Sequence, residues 1–272
     1  MSPRRPAAAS AAYVLHRYDW SETSLILDLF TREQGRLTVA AKGAKRPYSQ
    51  LRPVLLPFQG MTVVLGRPAK EEPSEVLNLR SAEWAGGAPM LPAAALFAGF
   101  YLNELLMKLL ARHDPHPVLF DAYAASLPAL AAGDDTLTQA ALRAFEIVLL
   151  REIGLLPELD TVTATLASVQ PQRQYLLRAD SGLSAAREGE ASLSGGLLLQ
   201  LQQTLDGGAL SELQTACANE RNALKATLRG LLHYHLGTPR LRTRDVMLGA
   251  QQFIGLADGP AEQVDPTTHP AS

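Results

Sequence analysis

The stretch Ser24–Gly43, SLILDLFTREQGRLTVAAKG, keeps a two-residue hydrophobic period on both sides of a turn. Leu25, Leu27 and Leu29 alternate with other residues up to Phe30, and Glu33-Gln34-Gly35 supplies the turn. Leu37, Val39 and Ala41 then alternate with Arg36, Thr38 and Lys42. Side chains two apart share one face of a strand, so this pattern predicts two strands, each with one side for a core. For the second strand it predicts a basic outer face. Gly43 ends that strand, and Ala44 to Gln50, punctuated by Pro47, reads as a loop. Working outward, Tyr13–Tyr18, Met61–Leu65 and Val76–Arg80 read as further strands. Five short strands within about eighty residues suit a small closed barrel, which leaves no exposed sheet edge.

Gly86-Gly87, Pro89 and Pro92 mark a boundary beyond which the period becomes helical. Phe97, Tyr101, Leu105 and Leu109 recur at helix spacing, as do Leu142, Phe145, Leu149 and Ile153 behind a cap at Asp134 or Asp135. Ser211 is expected to open one long helix reaching about Gly237, with Pro239 just beyond. These amphipathic segments predict an all-α helical bundle. Residues 160–205 mix Ser, Gly and Gln with short apolar runs and fit strands, a loop or an irregular helix. The expected organisation is a tail over 1–12, a barrel over 13–84, a helical domain over 88–256 with an irregular insertion at 160–205, and a second tail over 257–272.

Charge is segregated along the chain. With 25 Lys and Arg against 27 Asp and Glu the protein is close to neutral, yet 12 basic and 8 acidic residues precede Trp84 and 13 and 19 follow. From Gln34 to Lys70 there is no Asp or Glu, while Arg36, Lys42, Lys45, Arg46, Arg52, Arg67 and Lys70 all occur. A window of one sign creates a local positive field that attracts polyanions, above all nucleic-acid backbone. Arg36, Lys42, Lys45, Arg46 and Arg52 are therefore the candidate phosphate contacts, with Tyr48 as a candidate base-stacking platform. The plain alternative is a solvated surface, with Tyr48 packing against it. A second acid-free run extends from Arg221 to Arg244. Arg221, Lys225 and Arg229 form one helical stripe, and Arg240, Arg242 and Arg244 follow the break at Gly237. This run suits additional DNA contact or docking of an acidic peptide, and a solvated helix edge would read the same way.

Signatures of catalysis are not found in the sequence. It holds no phosphate-cradling Gly-rich loop with its lysine, no zinc-protease histidine pair and no nucleophile elbow. His233 and His235 stand two apart on a helix and point to different faces, a poor arrangement for a shared metal. Asp134-Asp135 is explained by helix capping and the helix dipole. Cys217, the only cysteine, cannot build a disulfide or a cysteine-rich zinc site and reads as a buried thiol. Residues 1–12 lack the apolar run of a secretion signal, and no apolar stretch is long enough to span a bilayer, so a cytoplasmic protein is expected.

Several fragments occur in register with one known family. They are Val14-Leu15-His16, Trp20–Ser24, Leu29–Glu33 with Gly35-Arg36, Ala41–Lys45, Leu56-Pro57-Phe58, Leu79–Glu83, Tyr101–Leu106, Arg143–Leu150, and Leu236-Gly237 to Arg244. Together they resemble the RecO family of recombination mediator proteins over most of residues 13–245, most weakly over 160–205. The resemblance implies an α+β fold, an N-terminal OB-fold β-barrel followed by an all-α helical bundle domain. It implies no bond-breaking chemistry and no cofactor. Members bind single- and double-stranded DNA, anneal complementary strands and contact the acidic, apolar C-terminal tail of single-strand-binding protein. With RecR they help RecA replace that protein on single-stranded DNA, so a nucleoid-associated location is implied. Some members carry a four-cysteine zinc site; with Cys217 alone, this chain resembles the zinc-free branch. The tail site of similar proteins uses an arginine in a Leu-Arg-x-Phe segment, which Arg143 matches. A protein-binding adaptor and an RNA-binding barrel are the rival readings. The first predicts little salt-dependent binding to bare oligonucleotides, the second a preference for RNA over a matched DNA strand.

Overall fold

A computed structural model describes residues 9–66, 76–86, 89–237, 241–243 and 246. Strands β1 (Ala9–Asp19), β2 (Leu25–Thr31), β3 (Gly35–Ala41), β4 (Met61–Leu65) and β5 (Val76–Trp84) close into a barrel in the order β1-β2-β3-β5-β4. The β2–β3 register sets Leu25 opposite Ala41, Leu27 opposite Val39 and Leu29 opposite Leu37. These apolar pairs fill the barrel with Val14, Met61, Val63 and Leu79. β3 and β5 run parallel, and every other neighbouring pair is antiparallel. This is the OB-fold arrangement that the alternation and the resemblance led to.

Two expectations about the barrel are corrected. β1 starts at Ala9, inside the expected tail, because Ala9–Ala12 pair with Met61–Val64 and complete the closure. Residues 1–8 and the expected tail at 257–272 lie outside the described residues. The outer face of β3 is not an open basic face either. Thr38 is buried and Arg36 half-buried, because part of the barrel's outer surface is the seat of the helical domain.

A bulge in β1 between Val14 and His16 divides that outer surface. Ahead of it, Ala12 and Val14 point into the barrel, while Tyr13 and Leu15 point outward to the helices. Beyond it the parity changes. Arg17 and Asp19 line the barrel mouth, and Tyr18 is left partly exposed on the other face.

Among the described residues six helices follow: α1 (Ala93–Leu109), α2 (Pro117–Ala131), α3 (Asp135–Glu152), α4 (Gly195–Gly207), α5 (Leu210–Cys217) and α6 (Arg221–Leu236). The Asp134 carboxylate caps α3 by accepting from the Leu137 amide at 2.9 Å. Every residue of α3 from Ala140 to Leu150 is buried, so α3 is the central helix of the bundle. Between α3 and α4, β6 (Gln174–Arg178), β7 (Gly182–Ala185) and β8 (Leu193–Ser194) form a three-stranded sheet in the order β7-β6-β8. The segment read as an irregular insertion is thus a small antiparallel sheet leading into a helix. The single long helix expected from Ser211 is two helices, broken where Glu220 adopts a left-handed backbone with φ of 45°. The Glu220 carboxylate holds this break by accepting from the amide of Ser194, at 3.0 Å, and from its hydroxyl.

Barrel and bundle share one hydrophobic core. Leu15, Phe30 and Phe58 of the barrel belong to the same cluster as the helical leucines. Tyr13 and Phe30 meet Phe120 and Tyr123 with ring centroids 5.0 to 6.3 Å apart. Buried Asn103 donates from Nδ2 to the Leu15 carbonyl at 2.9 Å and accepts from the Tyr123 hydroxyl at 2.7 Å. Arg32 grips Asp121 through two hydrogen bonds, at 2.9 and 2.8 Å. Gly35, with φ of 70°, lies so close to the Asp114 carbonyl that a Cβ would come within 2.0 Å of its oxygen.

Replacing Asn103 by Ala strands a buried carbonyl and a buried hydroxyl. The expected loss in urea unfolding is about 2 to 4 kcal/mol, with barrel and helices still melting in one transition. A loss below about 1 kcal/mol would remove Asn103 from its role as the joint between the domains.

Candidate nucleic-acid and peptide interfaces

The β3–β4 connection is a string of short turns, with amide-to-carbonyl bonds from Arg46 to Gly43, Ser49 to Arg46, Arg52 to Ser49 and Leu55 to Leu51. Ala44 and Leu55 anchor it by plugging the barrel mouth, where both are buried in the barrel core. Polar side chains between these plugs are thrown outward. An open cleft of about 430 Å³ results, lined by Arg17, Asp19, Leu25, Ala44, Lys45, Arg52 and Leu55. Arg17 donates to the Leu55 carbonyl at 3.3 Å. Lys45 pairs with Asp19 at 3.1 Å and donates to the Ser21 carbonyl at 3.0 Å, fastening the turns to the β1–β2 loop. Lys42, Arg46, Arg52 and Tyr48 are exposed, Tyr48 by 95%.

Five of the six barrel residues singled out in the sequence therefore gather on this one connection. Arg36 does not. It stands at the opposite end of β3, about 20 Å from Lys42 at strand rise. Its guanidinium donates to the Met107 carbonyl of α1, and its own carbonyl accepts from the His113 amide at 3.0 Å. Burial lowers its pKa, partly offset by Asp28. Arg36 is thus a component of the domain joint.

Three residues that the charge pattern passed over stand on the strand and loop beside the cleft, with Tyr18 on the outer face away from its lining. Arg17 lines it. Tyr18 and Trp20 are 42% and 57% exposed. Tyr18 is held in place by donating to buried Asp28 at 3.2 Å, and Thr38 donates to the other Asp28 oxygen at 2.9 Å. The legible signal was an arginine followed by two aromatics two positions apart, but it precedes the acid-free window.

The second basic run converges on a different place. Lys225 and Arg229 of α6 line a cavity of about 430 Å³ together with Arg143, Glu146 and Leu142 of α3 and Phe97 and Tyr101 of α1. Lys225 and Arg229 of the stripe read from the sequence thus share one cavity with Arg143. Arg221 is not part of the lining and donates to the Thr136 hydroxyl at 3.1 Å. Leu241 and Thr243 supply a further wall. Glu104 fastens that wall by accepting from the amides of Arg242 and Thr243 at 2.9 and 3.0 Å and from the Thr243 hydroxyl at 2.7 Å. Burial works to raise the Glu104 pKa, but these bonds and Lys108 hold it below the usual value. Arg242 is exposed, while Arg240 and Arg244 lie outside the described residues.

Arg143 is 6% exposed and Glu146 is 1% exposed. Arg143 Nη2 donates to Glu146 Oε1 at 2.6 Å, and the Tyr101 hydroxyl donates to the same oxygen at 2.6 Å. Arg143 Nε and Glu146 Oε2 are buried without a partner. Burial pushes the Glu146 carboxyl up, against the opposing pull of Arg143. Phe145 points into the core against Tyr123, whereas Leu142 borders the cavity. The result is a partly apolar pocket in which Arg143, Lys225 and Arg229 outnumber Asp135 and Glu146, chemistry suited to a peptide with carboxylates and an apolar residue.

His233 lines this cavity, while His235 packs edge-on against Tyr234. Among the described residues no group of three or more His, Cys, Asp or Glu is placed to hold a metal ion, and no helix is long and apolar enough to cross a membrane. Cys217 is buried in the core, and burial, then the Glu146 charge, push its thiol up to about 12. Iodoacetamide at pH 8 should therefore modify Cys217 about a thousandfold more slowly in the folded protein than in urea. Labelling of the folded protein at the urea rate would place the thiol at the surface.

The family model described as Recombination protein O N terminal matches residues 7–85, and that described as Recombination protein O C terminal matches residues 93–245. A DNA repair protein RecO of Polaromonas naphthalenivorans (strain CJ2) is 53% identical over 242 residues, covering 88% of this chain and 95% of its own. That of Variovorax paradoxus (strain S110) is 51% identical over 249 residues, with 88% and 95% covered. The protein of the same description from Acidovorax ebreus (strain TPSY) is 48% identical over 267 residues, with 93% and 100% covered.

Proposed function

The chain belongs to the recombination protein O family, a family of DNA repair proteins, and from that premise we propose that it is a recombination mediator with two anion sites of different chemistry. The barrel mouth holds single- and double-stranded DNA through Lys42, Lys45, Arg46 and Arg52, joined by Arg17. Neutralising phosphate charge lets complementary strands approach and anneal. Trp20 and Tyr48 offer stacking faces to unpaired bases. The cavity around Arg143, Lys225 and Arg229 takes the acidic, apolar C-terminal tail of single-strand-binding protein and so recruits the mediator to coated DNA. With RecR, the protein then helps RecA load. The work is physical rearrangement of strands, with no nucleophile and no covalent step.

The observation that carries this reading is the gathering of Lys225, Arg229 and Arg143 around one largely apolar cavity, apart from the basic barrel mouth. A generic polyanion binder needs only a charged surface. A largely apolar pocket with cations at its wall fits a peptide end better than a sugar-phosphate backbone.

The testing experiment is annealing of complementary oligonucleotides coated with single-strand-binding protein, with and without that protein's tail. Acceleration that requires the tail is expected. Acceleration indifferent to the tail would detach the cavity from the function, and no acceleration or binding of bare DNA would discard the barrel site. In the Lys42→Glu, Arg46→Glu variant, affinity for a single-stranded oligonucleotide should fall at least tenfold at low salt. The slope of log K against log salt should flatten by roughly 0.7 for each phosphate that the variant no longer neutralises. Unchanged affinity would remove the exposed loop from the DNA path.

A further inference from the structure

Glu146 is an anomaly in a pocket read as a carboxylate receptor. It is a buried acid on the face where a carboxylate must enter, and it already occupies the guanidinium that the incoming group needs. We propose that Glu146 is the positioning residue of this pocket, an internal stand-in that holds Arg143 when the site is empty and takes up a proton when a peptide carboxylate docks. The inference rests on the acidic-peptide reading of the cavity given above.

The geometry supports a removable stand-in. Glu146 holds Arg143 through Nη2 alone, so the contact is one-pointed, and Nε has no partner. A carboxylate prefers two parallel bonds to a guanidinium, so a ligand offers Arg143 a better partner than Glu146 does. On Glu146, Oε1 accepts both the Tyr101 and the Arg143 bond, while Oε2 accepts none. That bare oxygen is where a proton can settle without breaking either bond.

Electrostatics gives the direction. Tyr101 faces Glu146 from α1, Arg143 from its own helix, Lys225 and Arg229 from α6, and Cys217 couples to it from α5. Asp135 and His233 also line the cavity, and α2 contributes nothing to its lining. Burial already pushes the Glu146 carboxyl above its ordinary value. A second carboxylate beside the same guanidinium disfavours two negative charges and pushes it higher still. Docking therefore binds a proton at any pH between the free and the occupied value, and affinity falls as pH rises through that window. The peptide's own carboxylates titrate near 4 and remain charged throughout.

The test is titration calorimetry of the full chain with a synthetic acidic peptide ending in an apolar residue. It is run from pH 6 to 8 in pairs of buffers with different ionisation enthalpies, on wild type and Glu146→Gln. Wild type is expected to take up as much as about one proton per peptide and to bind more weakly toward pH 8. Glu146→Gln keeps both hydrogen bonds of Oε1 but not the charge, and is expected to lose the uptake and bind about tenfold more tightly at pH 8. Binding by wild type without uptake overturns the proposal, whether or not the variant folds. So does uptake that persists in Glu146→Gln, since His233 would then be its source. Weaker binding by a folded Glu146→Gln would make Glu146 a structural strut and also overturn it. Failure of both proteins to bind the peptide at any pH would overturn the acidic-peptide reading itself, and this inference with it.

Discussion

The buried joint between barrel and bundle governs the remaining structure. Asn103 ties a β1 carbonyl to a hydroxyl of α2, and four aromatic rings close around that bond network. A polar group sealed in an apolar core must keep its partners, so the joint tolerates little sliding or rotation. Phe30 serves the helical core from the outer face of β2, and Arg36 anchors α1 from the outer face of β3. The two domains are accordingly one body, and the spacing between barrel mouth and helical cavity is fixed by their shared core.

That rigidity bears on how two anion sites are kept distinct in one nearly neutral chain. At the barrel mouth, Arg46, Arg52 and Tyr48 stand in solvent on turns pinned by Ala44 and Leu55. Such a polar surface can follow a phosphate backbone. In the cavity, Phe97, Leu142 and Leu232 provide apolar surface, while Lys225 and Arg229 set the charge at the wall. One site suits a polymer sliding past and the other suits a chain end.

The barrel was legible because its strands alternate cleanly: Leu25, Leu27 and Leu29 against Leu37, Val39 and Ala41 is a register that can be read before folding. α3 was legible from its cap and spacing. What the sequence concealed was long-range burial. Arg36 looks like Lys42 on a strand face, and only the seat of the helices separates the joint residue from the exposed one. The helix break at Glu220 depends on Ser194, 26 residues away, and carries no local signal beyond its neighbours. In the same way, Arg143 and the Lys225–Arg229 stripe stand more than eighty positions apart, so their convergence follows from packing of α6 on α3. The small sheet over 174–194 was obscured because its strands are two to five residues long, too short for a period to declare itself.

A receptor for carboxylates faces a problem while it is empty. A guanidinium as buried as Arg143, left alone, is destabilising by several kcal/mol, and the usual escape of rotating into solvent would dismantle the site. A permanent, fully satisfied counter-ion would stabilise the fold and block the ligand. Glu146 lies between these extremes: close enough at 2.6 Å to keep Arg143 in place, yet with one oxygen unsatisfied and its charge opposed by burial. The imperfect pairing that would count as a flaw in a structural salt bridge is what an exchangeable anion site requires.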